Sequence, residues 1–148
     1  MSLEKQINDE IKAAMLAKEK VRLTALRAVK SEILLAKTAD GSETIADDAV
    51  LKIVQKLVKQ RRESAAVYTE SGRPELAENE LAEAAELEGF LPAQMSGVEL
   101  ESALKAIIEQ VGAKAPSDMG KVMGVASKKL AGLAEGRAIS AKVKELLG

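Results

Sequence analysis

The sequence predicts an all-α protein built as two different helical bundles, about four helices followed by three. Two observations lead there. Hydrophobic residues make up 47% of the 148-residue chain, yet Tyr68 and Phe90 are its only aromatics, so Ala, Leu, Val and Ile must form the interior. Small aliphatic side chains on Lys/Glu-rich segments suit closely packed helices. The apolar residues also recur with helical spacing between clear start and stop signals, and strand-like alternation is absent.

The first segment carries Leu3, Ile7, Ile11 and Met15 at intervals of four, one apolar line along a helix. A break near Lys18-Glu19-Lys20 precedes a second line of Leu23, Leu26, Val29 and Ile33, ended by the Asp40-Gly41-Ser42 turn. Thr44 stands three residues before Asp47, an acidic variant of the capping box that predicts the start of a third helix. In that helix Val50, Val54, Leu57, Val58, Ala65 and Tyr68 share a face, and Gly72 closes it with Pro74 just beyond. Pro74 suits the first turn of a fourth helix, with Leu76, Leu81, Ala84 and Leu87 among many glutamates, ending at Phe90-Leu91-Pro92.

Ser96 and Glu99 form a capping box for a fifth helix bearing Leu100, Leu104, Ile107, Ile108 and Val111, stopped by Gly112. Pro116-Ser117-Asp118 caps a sixth, which Gly132 ends. A seventh runs from about Arg137 to Leu147 with Ile139, Val143 and Leu146 inward. The proline-containing joint at Pro92 separates two sets that each own an apolar face, so the expected domains are residues 1–92 and 93–148.

Composition excludes several kinds of chemistry. The chain has no cysteine and no histidine, which removes disulfides, thiol catalysis, the usual zinc sites and every His-based catalytic arrangement. No catalytic residue, metal or cofactor is expected. The first residues lack a basic region followed by an apolar run, and no apolar stretch approaches the roughly 20 residues of a membrane helix. A cytoplasmic protein with no membrane partner is the expectation, and the oligomeric state is left open. Net charge is −1 but uneven: residues 1–62 carry +4, residues 63–110 carry −9 and residues 111–148 carry +4. Two basic ends around an acidic middle suit local contact with a polyanion, or simply solvated helix faces.

Three places stand out. In the third helix, Lys56 and Lys59 fall on the face away from Val54 and Arg62 lies at its edge, whereas Arg61 falls within the apolar stripe, about 20° from Val54. A guanidinium there needs a partner or must reach solvent. Either Arg61 pairs with Glu80 or Glu83 of the acidic fourth helix, or Lys56, Lys59 and Arg62 form a second basic patch that meets phosphates. The glutamates Glu75, Glu78, Glu80, Glu83, Glu86 and Glu88 read as a solvated face rather than an acid–base or metal site. In the sixth helix, Gly120 and Gly124 lie opposite the stripe of Met119, Val122, Met123, Ala126 and Leu130, beside Lys121 and Lys128. Each glycine costs roughly 0.5–1 kcal/mol relative to alanine inside a helix, so the strip calls for a compensating contact. Another helix of this chain, a partner helix or a phosphodiester backbone would supply one. Gly132 and Gly136 allow a sharp turn before Arg137, but they match no phosphate-binding loop.

These residues carry a resemblance. Gln60-Arg61-Arg62-Glu63-Ser64, the run Glu88-Gly89-Phe90-Leu91-Pro92-Ala93-Gln94-Met95-Ser96, and Asp118-Met119-Gly120-Lys121-Val122-Met123-Gly124 continuing to Gly132 and Gly136 resemble the GatB/YqeY family. The likeness keeps its order over nearly the whole chain. It is nearest to the free-standing YqeY proteins and implies four helices followed by three. The C-terminal part is similar to the tail of the B subunit of glutamyl/aspartyl-tRNA amidotransferase, which helps hold the tRNA. The resemblance therefore implies a tRNA-related role for Gly120, Lys121, Gly124, Lys128 and Arg137. It also implies association with a carbon–nitrogen ligase that uses glutamine as amido-N-donor, although no residue here performs that chemistry. The sequence departs from the family at Ala131 and Leu133, where basic residues are common, and at Gly89, where an aromatic is common.

The function expected is thus a non-catalytic module that binds folded tRNA through a Gly/Lys helix. With almost no aromatics to stack on unpaired bases, shape and phosphate contacts would dominate. The alternative is a protein-interaction module whose Gly120/Gly124 strip docks a partner helix.

Overall fold

The computed structural model describes residues 2–148, and among them it contains seven α-helices, one 3-10 turn and no strand. The helices are α1 Leu3–Leu16, α2 Lys20–Asp40, α3 Asp47–Glu70, α4 Pro74–Glu88, α5 Gly97–Val111, α6 Met119–Lys129 and α7 Gly136–Leu147, with the 3-10 turn Pro116–Asp118 leading into α6. The protein is all-α, and it divides into two compact units, one ending at Leu91 and the other running Pro92–Gly148.

In the first unit α1–α4 enclose an aliphatic core of Ile7, Ile11, Ala14, Ala25, Leu26, Val29, Ile33, Val50, Val54, Leu57, Val58, Ala84 and Leu87. Met15 is half exposed while Ala14 is buried. A spacing of four drifts about 40° per step on a helix of 3.6 residues per turn, so by Met15 the line has left the core. Leu76 and Leu81 are also exposed, at 39% and 50%, because α4 turns Ala77, Glu83, Ala84 and Leu87 inward.

Several helix ends follow the chain's own signals. Gly41 and Gly112 take left-handed φ values of 64° and 70° and close α2 and α5. The Ser96/Glu99 capping box forms as the spacing predicts, with both bonds at 3.1 Å. Thr44, however, does not cap α3. That helix begins at Asp47 after Ala46, without a side-chain cap. The Asp47 carboxylate instead accepts the N–H of Leu3 at 2.9 Å, beside the Ser2 hydroxyl that accepts from Lys5. An acid next to the N-terminus of α1 serves that end rather than its own.

The second unit packs α5, α6 and α7 around Leu100, Leu104, Ile107, Ala113, Val122, Ala126, Leu130, Ile139, Val143 and Leu147. Leu147, not Leu146, is the fully inward residue at the end of α7. The extended segment before α5 is tied to the α6–α7 joint. Gln94 Nε2 donates to the Gly132 carbonyl at 2.7 Å, and Met95 N–H to the Leu133 carbonyl at 2.9 Å. Gly132 is buried there with φ 79°, a backbone geometry that favours glycine.

Candidate functional site

Three arginines of the first unit, Arg22, Arg61 and Arg62, join its helices through glutamates. Arg61 lies in the α3–α4 seam, its side chain 16% exposed, and contacts the Glu83 carboxylate at 3.4 Å; Glu83 is 8% exposed and also accepts from Asn79. Of the two pairings open to Arg61, the one with Glu83 forms. Arg62 pairs with Glu88, and Lys56 with Glu32 at 3.4 Å. Arg22 reaches Glu10 and Glu86 at 2.9 and 2.8 Å and stands 6.0 Å from the centre of the Phe90 ring. Its hydrogen bond to Glu86 holds the guanidinium pKa above its ordinary value.

Two sequence readings change here. The glutamates of α4 are not simply a solvated face, because Glu83, Glu86 and Glu88 each hold a cation of a neighbouring helix. Lys56 and Arg62 pair with glutamates of neighbouring helices at the exposed surface of the first unit, and Lys59 makes an interaction of its own. The Gln60–Ser64 motif is thereby explained through architecture: its two arginines fasten α4.

The strip on α6 is different. Val122 and Ala126 are buried against α5 and α7, and this fixes the opposite face of the helix outward. Gly120 and Gly124 are both exposed on that face, and a Cβ built at either would meet nothing within 4 Å. Neither has positive φ. Among the described residues no turn and no contact within 4 Å requires glycine at either position. Lys121 and Lys128 flank it, exposed, and Arg137 is exposed in the first turn of α7. None of the three makes an ion pair or side-chain hydrogen bond among the described residues. Arg137 sits at a helix N-terminus, where the dipole disfavours a cation, so its charge does not serve that helix.

The entrance to α6 is set by Asp118, whose carboxylate accepts the N–H groups of Lys114 and Ala115 at 2.9 and 3.3 Å. Those bonds hold its pKa below the usual carboxylate range, with a smaller contribution from Lys121. Glu99 is lowered in the same way by the Ser96 backbone and hydroxyl. Lys128 in the last turn of α6 and Arg137 in the first of α7 flank the joint that Gln94 secures. Sequence reasoning overlooked Gln94; its only signal was its place within the Glu88–Ser96 run. Among the described residues no group of three or more carboxylates is placed to hold a metal ion, and no helix is long and apolar enough to cross a membrane.

A family model described as Yqey-like protein matches residues 4–147. Two relatives are both named Altered inheritance of mitochondria protein 41, mitochondrial. The one from Pyrenophora tritici-repentis is 28% identical over 148 aligned residues, covering 97% of this chain and 80% of its own. The one from Kluyveromyces lactis is 35% identical over 85 residues, covering 57% of this chain and 45% of its own.

Proposed function

Because the chain belongs to the YqeY-like protein family, matched from residue 4 to 147, we propose that it is a non-catalytic helical module that binds folded tRNA along α6. The observation that carries this reading is the pair Gly120 and Gly124. They are exposed, in ordinary helical conformation, and surrounded by open space. Alanine at either position would favour the helix by roughly 0.5–1 kcal/mol, so folding offers no reason for glycine. A backbone that must come close to the helix does. Lys121, Lys128 and Arg137 make no ion pair or side-chain hydrogen bond among the described residues, although Lys121 lies near enough to Asp118 to act on its charge, and they supply the charge that a phosphodiester chain requires.

Residues 92–148 contain no aromatic side chain at all, so recognition there rests on phosphates and the shape of a folded RNA rather than on stacked bases. The likeness of this unit to the amidotransferase tail points the same way. Ligase chemistry with glutamine belongs, in this reading, to an associated enzyme rather than to this chain.

A gel-shift series with tRNA tests the proposal. Lys121→Glu/Lys128→Glu should weaken binding at least about tenfold and lower the slope of log K against log salt by about 2. Equal binding by both proteins would remove the strip from the account. The same two glycines, four apart, also suit close packing of a partner helix. Pull-downs before and after nuclease separate the readings, since a specific partner that survives nuclease and is lost with Gly120→Leu favours the helix.

A further inference from the structure

The turn joining α1 to α2 exposes the chain's least covered large apolar side chain among the described residues. Leu16 is 86% exposed and its neighbour Met15 50%. The helix ends there in a paired-bond cap: Glu19 N–H donates to the Ala14 carbonyl at 3.0 Å and Lys18 N–H to that of Met15 at 3.3 Å. This cap places its penultimate residue in the left-handed region, where glycine or asparagine is the unstrained choice. Lys18 occupies it at φ 58°, the one non-glycine residue with positive φ among those described. Backbone geometry therefore does not explain a lysine at the apex.

Cations collect around that apex. Lys12 stands one turn before Leu16 on the same face of α1, and Lys20 opens α2. Lys12, Lys18 and Lys20 are exposed, and none makes an ion pair or side-chain hydrogen bond among the described residues. From Ile11 to Ser31 the chain holds six Lys/Arg against a single acid, Glu19. The charge of Glu19 acts on Arg22, which is already held by Glu10 and Glu86.

We propose that the α1–α2 turn is a peripheral attachment point for an anionic lipid surface. Leu16 and Met15 enter the boundary between headgroups and acyl chains, and Lys12, Lys18 and Lys20 lie among the phosphates. A narrow apolar apex collared by unpaired lysines fits a lipid surface better than a protein cleft. At the hydrated interface the ammonium groups keep their water while their stems bury. A cleft would have to desolvate all three and match each with a carboxylate. The attachment is reversible and superficial, because no helix among the described residues can span a bilayer. It revises the expectation of no membrane partner, which rested on the lack of a long apolar run; a two-residue apex leaves no such trace. The site lies in the first unit and does not depend on the tRNA reading.

Flotation of the full chain, freed of nucleic acid, with vesicles of phosphatidylcholine alone or mixed with phosphatidylserine is the test. The chain should float with the anionic vesicles and not with the neutral ones. Each of Lys12→Gln, Lys18→Gln and Lys20→Gln should weaken binding about fivefold. Leu16→Ser should weaken it about tenfold, with an unchanged thermal melt. No flotation, or flotation indifferent to Leu16→Ser, overturns the proposal. So does apex-dependent retention on polyglutamate without vesicle binding, which would assign the apex to an acidic protein.

Discussion

Gly120 and Gly124 look, as residues, like defects in α6, since each gives up helix stability without relieving any strain. Gly120→Ala and Gly124→Ala should each raise stability in urea by roughly 0.5–1 kcal/mol. A loss instead would mean that the open space is filled by something within the chain. Lys18 is the reverse case of a side chain kept where backbone geometry favours its removal. Lys18→Gly should stabilise the first unit by about 1 kcal/mol in the same assay. The outward direction of both glycines was legible in the sequence, because helical period alone places them opposite Val122 and Ala126. The strain at Lys18 was not, since nothing in a Lys-Glu-Lys run marks which residue turns left-handed.

Among the elements, the α3–α4 seam depends on an ion pair that periodicity only half reveals. The helical wheel puts Arg61 in the apolar stripe, but it cannot choose between Glu80 and Glu83, which lie three residues apart on α4. The structure selects Glu83. Arg61→Met should cost about 3–5 kcal/mol, because it leaves a buried carboxylate without its partner. Adding Glu83→Leu should recover most of that loss, and chemical denaturation of the single and double variants measures both. Caps show a similar limit. Ser96 with Glu99 works as read, whereas Asp47 is drawn to the N-terminus of α1, a long-range neighbour that local spacing does not display. Glu99 and Asp118 have pKa values lowered by the N–H groups they accept. Their stabilisation is therefore complete above the unfolded carboxylate values, about 3.9–4.3. It disappears only as the pH falls through the lower folded values. Carboxyl-carbon NMR titration should place both midpoints below those ordinary carboxylate values. Midpoints at or above those would contradict the capping geometry.

The chain forms two aliphatic bundles; ion pairs join the helices of the first, and both carry lysines without an ion pair among the described residues. Seven helices were legible because glycines, prolines and a capping box punctuate an almost uninterrupted apolar period. The use made of each charge was not, because pairing depends on which helices meet in space. Lys56 and Arg62 looked as available as Lys121 and Lys128, yet only the latter two stand unpaired. That contrast is why the RNA contact is proposed on α6 rather than on α3. The most direct measurement is the affinity of Gly120→Ala/Gly124→Ala for folded tRNA, set beside its melting temperature. This variant keeps every charge and strengthens the helix, so it isolates close approach. Binding of tRNA should weaken at least about tenfold, a loss of about 1.4 kcal/mol or more, together with a higher melting temperature. Unchanged affinity in the more stable variant would contradict it.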